Sequence, residues 1–278
     1  MFRDRSLTWE NGRQMAIVIT GAAGNLGRKI TRHLSARGCD LVLFDQRGDP
    51  EDGILETDLS TYDAGWAHHM QNAEAVIHLA GAAWPFRDWV ALQRGNIDAI
   101  VNVLRASIAG RVRRFVFASS LLTMEGYRDG EGQIRPDMPA RPMSFYAVTK
   151  LMGERLTYAA SQRDGLDVIC LRLGIARPGA NLPSKRVGLW EQQKWLGNTD
   201  ACRAIESAVF HPHQGWTVVF ATSSNAGMRW SLAESRTAIG YEPTESSTPV
   251  TPPLRSRTVG SVKKQLRRIC ARMSGEAG

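Results

Sequence analysis

The sequence predicts an α/β fold in which helices cover both faces of a parallel sheet. Three observations predict this fold. Short apolar runs recur along the chain, and most are separated by segments with apolar residues at helical spacing. The runs are apolar almost throughout, which is typical of strands buried on both faces. A glycine-rich turn joins the first run to the first helical segment, an order of elements typical of a doubly wound sheet.

The first strand is predicted over 15–20, MAIVIT, and the first helix follows the glycine turn. In LGRKITRHLSARG the apolar residues Leu26, Ile30 and Leu34 recur at helical spacing. Further strands are predicted over 40–45, 73–81, 113–120, 166–174 and 216–221, with a short third strand ending at Asp58. Helices are predicted over 62–70, 88–107, 144–162 and 199–210.

Composition excludes several classes of protein. The chain has 278 residues, of which 43% are hydrophobic, enough to build a sizeable core. It has no run of 18 apolar residues, and its N-terminal segment is polar rather than signal-like, which predicts a cytoplasmic protein. Cys39, Cys170, Cys202 and Cys270 are scattered without the spacing of metal ligands. We therefore expect reduced thiols, no disulfide framework and no metal site.

The formal net charge of +8 lies mostly near the C-terminus. Residues 246–278 hold seven basic residues and one acidic residue, a net charge of +6, which leaves about +2 for residues 1–245. The charge therefore does not favour nucleic acid as a partner. The Pro-, Ser- and Thr-rich stretch from 242 predicts a linker, followed by a basic helix over 259–274 with one apolar face. A solvated helix, docking onto a partner subunit and docking onto an anionic surface all stay open for this tail.

The turn TGAAGNLG places Gly21, Gly24 and Gly27 between the first strand and the first helix. Glycine permits a tight turn, close approach of the backbone to a pyrophosphate, and close packing of helix on strand. The N-terminus of the helix that follows attracts the anion. The pattern therefore predicts a dinucleotide site, with a plain structural turn as the alternative.

Asp45 ends the second strand, 18 residues after Gly27. A carboxylate there can accept the ribose hydroxyls of NAD and repel the phosphate of NADP, so we expect NAD as the cofactor. Arg47 follows closely and could offer some tolerance of NADP. We expect Asp58 to bind the adenine amino group, with an acid at a helix N-terminus as the alternative.

The segment SFYAVTKLMGE places Tyr146 one helical turn before Lys150, so that both side chains share one helix face. The strand RRFVFASS ends in Ser119 and Ser120, and the carboxyl ends of parallel strands face the ligand crevice. Serine, tyrosine and lysine can therefore converge beside a bound nicotinamide.

The pattern T-G-x-x-G-x-x-G, the serine pair and Y-x-x-x-K together resemble the extended short-chain dehydrogenase/reductase family, which includes NAD-dependent sugar epimerases and dehydratases. The resemblance implies that Tyr146 is the general base and that Ser120 hydrogen-bonds the reacting hydroxyl. It also implies that Lys150 binds the nicotinamide ribose and lowers the pKa of the tyrosine. Ser119 is the alternative to Ser120, which we prefer because the family's polar residue occupies the second position of the pair.

We expect four portions along the chain: a polar leader over 1–14, an NAD-binding Rossmann-like portion over 15–172, a small substrate-binding portion over 173–245, and a basic linker and tail helix over 246–278. The predicted contacts of the cofactor are Gly21, Gly24, Asn25, Leu26, Gly27, Asp45, Asp58, Leu59, Leu79, Ala80, Gly81, Asn96, Tyr146 and Lys150.

Several phrases, among them VIHLAG, VFASS and WLGNTDACRAIESAV, resemble uronate dehydrogenases, short members of the family that oxidise the anomeric hydroxyl of galacturonate or glucuronate. Only about 70 residues separate Arg172 from Tyr241, which predicts a substrate smaller than a nucleotide sugar. We therefore expect an NAD-dependent dehydrogenase that acts on a small sugar acid or a related hydroxy compound, in a homo-oligomer.

Departures from those dehydrogenases concern the substrate pocket. Leu121 and Leu122 stand where the dehydrogenases carry polar residues, and Ala83 and Ile175 stand where hydroxyl side chains are expected. These departures predict a more apolar pocket. The predicted substrate contacts are Ser120, Leu121 and Arg186. The guanidinium of Arg186 could clamp a carboxylate, or it could be an ordinary solvated loop residue.

Two other functions stay open at this point. The first is an NAD-dependent sugar epimerase or reductase. A dehydratase is not favoured, because Leu121 and Leu122 supply no acid/base pair after the serines. The second is a non-catalytic nucleotide-sensing or RNA-associated protein, which the basic tail would suit but which the complete set of Ser120, Tyr146 and Lys150 argues against.

Overall fold

The computed structural model describes residues 16–82 and 88–251. Seven parallel strands form one sheet in the order β3-β2-β1-β4-β5-β6-β7. They are β1 (Ala16–Thr20), β2 (Asp40–Asp45), β3 (Ile54–Glu56), β4 (Ala75–His78), β5 (Arg114–Ser120), β6 (Asp167–Leu173) and β7 (Trp216–Ala221). The strand order reverses between β1 and β4, so the ligand crevice of this doubly wound fold lies there.

Register aligns the carboxyl ends of the central strands. Thr20 at the end of β1 pairs with Phe44 on β2 and with His78 on β4. Because the strands end at the same level, the loops that follow them meet at one edge of the sheet. On the other side of the crevice, β5 and β6 pair over seven positions, ending with Ser120 beside Leu173.

Helices cover both faces of the sheet, and the core has two layers. The helices are α1 (Asn25–Ser35), α2 (Ala64–Ala67), α3 (Trp89–Gln93), α4 (Ala99–Ala109), α5 (Phe145–Asp164), α6 (Leu189–Gln193), α7 (Asn198–Phe210) and α8 (Ala233–Ile239). Ile17 and Ile19 of β1 pack into one layer, and Val18 between them packs into the other. This alternation explains why the strands are apolar almost throughout, as predicted.

Two predicted helices are interrupted in the structure. The helix expected over 62–70 is α2 followed by a 3₁₀ turn at His68–Asn72, and the one expected over 88–107 is α3, a π-helical turn at Arg94–Asp98, and α4. The sequence did not predict the short helices α6 and α8, nor the 3₁₀ segment Leu121–Tyr127. In the part of the chain that the structure describes, no helix is long and apolar enough to span a membrane.

The segment 242–251, which we call the C-terminal strap, differs from the predicted linker. Ser224 N–H donates to Glu245 O at 2.9 Å, and Val250 N–H donates to Gln192 Oε1 at 2.9 Å. The buried Asp200 carboxylate accepts the N–H of Thr244 at 2.7 Å. These hydrogen bonds hold the strap against the folded body, which its composition could not reveal. The predicted leader and tail helix, like Ala83, lie outside the described residues.

Candidate active site

The glycine turn lies against the end of β4. Gly21 has a φ of +75°, and a Cβ added to it would come within 2.7 Å of Ala80 N. A Cβ on Gly27 would come within 2.1 Å of Gly21 O, so the turn closes directly on helix α1. Since α1 begins at Asn25, its first N–H groups lie in this turn. The turn therefore fits a pyrophosphate, which needs close backbone approach and a helix N-terminus.

Asp45 is held at the same turn. Its Oδ2 accepts the N–H of Ala23 at 3.0 Å, and its Oδ1 accepts the N–H of Arg47 at 3.1 Å. The Arg47 side chain is exposed. Two backbone donors thus fix the carboxylate beside the start of α1, the position that a ribose-binding acid requires in this fold.

Asp58 lies two residues after β3. Its Oδ1 accepts the N–H and the hydroxyl of Ser60, and its Oδ2 accepts from Arg94 at 2.9 Å. Hydrogen bonding by Ser60, helped by Arg94, lowers the pKa of Asp58. The alternative role at a helix N-terminus is wrong, because Asp63 caps α2 by accepting the N–H of Gly65 at 2.5 Å. Neighbouring Leu59 is buried.

The loop after β4 packs over the helix that carries Asn96. Asn96 Oδ1 accepts the N–H of Ala82 at 2.7 Å, and its Nδ2 donates to Thr149 Oγ1 at 2.9 Å. A Cβ added to Gly81 would come within 3.4 Å of Lys150 Nζ. Asn96 lies in the π-helical turn, an irregularity that often marks functional sites. Of the predicted cofactor residues, Gly81 and Asn96 therefore lie near Lys150, while Leu79 and Ala80 lie against Gly21 of the glycine turn.

Helix α5 brings the tyrosine and the lysine to the end of β5. The hydroxyl of Ser144 caps α5 by accepting the N–H of Ala147 at 3.2 Å, which fixes the turn that carries Tyr146. Lys150 Nζ donates to Ala118 O at 2.9 Å and lies 5.8 Å from the centre of the Tyr146 ring. The Ser120 side chain lies close enough to the phenol of Tyr146 to lower its pKa. The three residues predicted to be catalytic therefore form one cluster.

The two serines of β5 have different partners. Ser119 Oγ donates to Glu154 Oε1 at 2.5 Å, while Ser120 faces Tyr146. Arg172 donates to both oxygens of Glu154 at 2.8 Å, and the pair is almost completely buried. The Ser119 hydroxyl is thus hydrogen-bonded to the buried ion pair of Glu154 and Arg172. The geometry favours Ser120 as the residue that meets the reacting hydroxyl.

Burial shifts the two titratable groups of the cluster in opposite directions. It raises the pKa of Tyr146 to about 12, against the smaller lowering effect of the Ser120 side chain. It lowers the pKa of Lys150 to about 8. Both shifts have the same origin, since a buried site disfavours the charged form of either group. Without a bound cofactor, the Tyr146 phenol is therefore protonated near neutral pH. It requires an added positive charge nearby to act as a base.

The residues predicted to contact the substrate do not all line an open site. Leu121 is 1% exposed and packs in the hydrophobic core, so the structure does not support it as a substrate contact. Leu122 is only partly buried, and its N–H donates to Ser120 Oγ at 3.2 Å. Ile175 pairs through its backbone with Lys194 and Leu196. Arg186 is exposed on the loop after β6. Ser120 alone of the predicted substrate residues lies in the Tyr146 cluster.

Sequence reasoning missed the buried pair of Glu154 and Arg172. A signal existed for each residue. Glu154 follows Lys150 by four positions, on the same face of α5, and Arg172 interrupts the apolar run that follows Asp167 in β6. Their contact joins α5 to β6, and no local pattern could have predicted it.

Comparison with known proteins agrees with this geometry. A model of the NAD dependent epimerase/dehydratase family matches residues 17–176. The chain belongs to this family. The predicted family is confirmed, and so is NAD as the cofactor.

Similar proteins include sugar and sugar-acid dehydrogenases. Uronate dehydrogenase of Pseudomonas putida is 28% identical over 239 residues, which cover 83% of this chain and 84% of that protein. L-Arabinose 1-dehydrogenase (NAD(P)(+)) of Haloferax volcanii is 28% identical over 267 residues, covering 84% of this chain and 98% of the relative. The solved structure of a uronate dehydrogenase variant from Agrobacterium tumefaciens, complexed with NAD, is similar with a TM-score of 0.68 and 25% identity, over 84% of this chain and 86% of that one.

Proposed function

We propose that this protein is an NAD-dependent dehydrogenase that oxidises a hydroxyl group of a small sugar acid or a related hydroxy compound. The observation that carries the proposal is the cluster of Ser120, Tyr146 and Lys150 at the sheet edge where the glycine turn and Asp45 also lie. The similarity to uronate dehydrogenases supports a sugar acid as the substrate class. The relative named for L-arabinose extends the class to neutral sugars as an alternative.

The glycine turn and Asp45 would hold NAD, with the start of α1 at the pyrophosphate and the Asp45 carboxylate at the adenine-side ribose. Lys150 and Asn96 would lie on the nicotinamide side. When bound, oxidised NAD supplies the hydride acceptor and a second positive charge beside the phenol. We propose residues 15–172 as the portion that binds the cofactor and 173–245 as the portion that faces the substrate.

Tyr146 takes the hydroxyl proton of the substrate, while Ser120 hydrogen-bonds the same oxygen and keeps it near the phenol. To act as a base near pH 7, the phenol must lose about five pKa units from about 12, which corresponds to roughly 7 kcal/mol. The Lys150 charge, 5.8 Å from the ring, favours the phenolate by about 3 kcal/mol at an effective dielectric constant of about 20, so the pKa would be higher still without it. Because Lys150 is already present in the protein whose phenol has a pKa of about 12, the remaining decrease requires a further positive charge beside the phenol.

The test is a screen of uronates, aldoses and nucleotide sugars for NADH formation, followed by the Tyr146→Phe variant. We expect NADH formation with a free sugar acid or sugar, and a loss of turnover of about 10² or more in the variant with NADH affinity kept within a few fold. Tyr158→Phe, on the same helix but half-exposed, is the matched control and should retain turnover. Conversion of a nucleotide sugar without net NADH would instead indicate an epimerase.

We also propose that the protein forms a homo-oligomer through the outer face of α5. Phe145 is 73% exposed, and Val148 and Met152 lie along the same stripe of the helix. Trp89 of α3 packs edge-on against Phe145 with ring centres 6.2 Å apart. A contiguous apolar patch of this kind is typical of a protein interface. Sedimentation velocity should show a dimer or larger species that dissociates in Met152→Lys but persists in Leu182→Lys, the control at an exposed loop position.

A cytoplasmic location is part of the same proposal. Cys39, Cys170 and Cys202 are free thiols among the described residues, as expected of a protein that folds in a reducing compartment. Fractionation of cells that express the full chain would test this location.

A further inference from the structure

Arg28 on helix α1 lies next to the ribose-binding acid. Its Nε donates to Ala23 O at 3.3 Å, and the N–H of the same residue donates to Asp45 Oδ2 at 3.0 Å. A single residue of the glycine turn therefore separates the guanidinium from the Asp45 carboxylate. An arginine in this position is suited to pair with a phosphate on the ribose of a cofactor.

Two acidic side chains of the loop between β2 and β3 form ion pairs with Arg28. Arg28 Nη2 donates to Asp49 Oδ2 at 3.0 Å, and its Nη1 pairs with Asp52 Oδ2. The loop holds these acids in place, because Asp49 and Ile54 exchange two backbone hydrogen bonds, of 2.8 and 3.0 Å. Gly53 closes the turn with a φ of +69°. The aspartates are thus built into a short turn that faces Arg28.

The net charge of the loop around Asp45 also disfavours a phosphate. Residues 45–53 contain four acids, Asp45, Asp49, Glu51 and Asp52, and one arginine, Arg47. With Arg28 included, four acids lie near two arginines, a net charge of −2. Pairing with Asp49 raises the pKa of Arg28 and lowers the pKa of Asp49, so both groups stay charged at neutral pH. A ribose phosphate of about −2 charge would enter a negative field.

We propose that Asp49 and Asp52 are specificity-determining residues, which hold Arg28 in ion pairs and so keep it from binding the 2′-phosphate of NADP. The preference for NAD then depends on the loop between β2 and β3 as well as on Asp45. This inference rests on the proposed position of Asp45 at the ribose. An experiment that aims to switch the cofactor to NADP must therefore remove the acids that pair with Arg28, because this cation is already present near the ribose.

The test measures equilibrium binding of NADH and NADPH, through energy transfer from protein tryptophan to the reduced nicotinamide, so that no substrate is needed. We expect the Asp49→Asn/Asp52→Asn variant to bind NADPH about tenfold more tightly, with NADH affinity unchanged within about threefold. Adding Arg28→Gln to that variant should abolish the gain. Glu51→Gln is the matched control, because it removes a charge from the same loop without touching the pairs of Arg28, and it should change NADPH affinity less than twofold.

Two outcomes would overturn the inference. If Glu51→Gln improves NADPH binding as much as the double variant does, the general negative field decides specificity and the pairing does not. If the gain survives Arg28→Gln, another cation binds the phosphate. Circular dichroism and the midpoint of urea unfolding check that each variant keeps its fold. Failure of the unaltered protein to bind NADH at all would refute the proposed cofactor site together with this inference, whereas NADH binding with no effect of the variants would refute the inference alone.

Discussion

Replacing Lys150 by methionine should show how much of the tyrosine's basicity comes from one charge. Lys150 Nζ lies 5.8 Å from the centre of the Tyr146 ring. A unit charge at that distance is worth about 3 kcal/mol at an effective dielectric constant of about 20, which corresponds to about two pKa units of the phenol. Lys150→Met should therefore raise the pKa of Tyr146 by about two units. On the acidic limb of the pH–rate profile it should lower kcat by about 10².

The assay is the dependence of kcat on pH, with NAD and substrate both saturating. The acidic limb should move to higher pH by about two units in Lys150→Met. Burial lowers the pKa of Lys150 to about 8, so its charge is present below that pH and is lost as the pH rises above it. The rates of the two enzymes should therefore converge at alkaline pH. Lys150→Arg keeps the charge and should leave the limb within about one unit of its original position. A uniform fall in kcat with an unmoved limb would show that Lys150 only binds the ribose, and the electrostatic reasoning would be refuted.

Three further predictions concern the surrounding structure. Burial lowers the pKa of His78 from 6.5 to about 3, so the unfolded chain binds a proton that the folded protein does not, and stability should fall by roughly 2 kcal/mol between pH 6.5 and 5. Urea unfolding should show the full loss in exposed His68→Gln and a clearly smaller loss in His78→Phe, in which only the lowered pKa values of His69 and His213 still contribute. Ser119→Ala should keep kcat/KM within about threefold, whereas Ser120→Ala should lower it by about 10², and equal losses would contradict the assignment of Ser120. Truncation after Thr251 should leave NADH affinity unchanged, whereas truncation after Tyr241 should lower the unfolding midpoint, because it removes the strap that binds Asp200.

The sequence by itself determined the sheet, the glycine turn and the Ser120, Tyr146 and Lys150 set. Each of these depends on local regularities. Apolar runs show where strands are buried on both faces, glycines show where the backbone must approach another atom closely, and a spacing of four residues places two side chains on one helix face. Such patterns can be recognised in short stretches of sequence, without knowledge of the tertiary structure.

Only the tertiary structure decided which neighbours these residues have. Ser119 donates to Glu154, whereas Ser120 lies beside Tyr146. Leu121 packs in the core, and the C-terminal strap binds Asp200. The tertiary structure also paired Arg28 with acids more than 20 positions away. The physical reason is that these contacts depend on strand register and on the position of α5 against β5, which are set by packing of the whole core rather than by any local pattern.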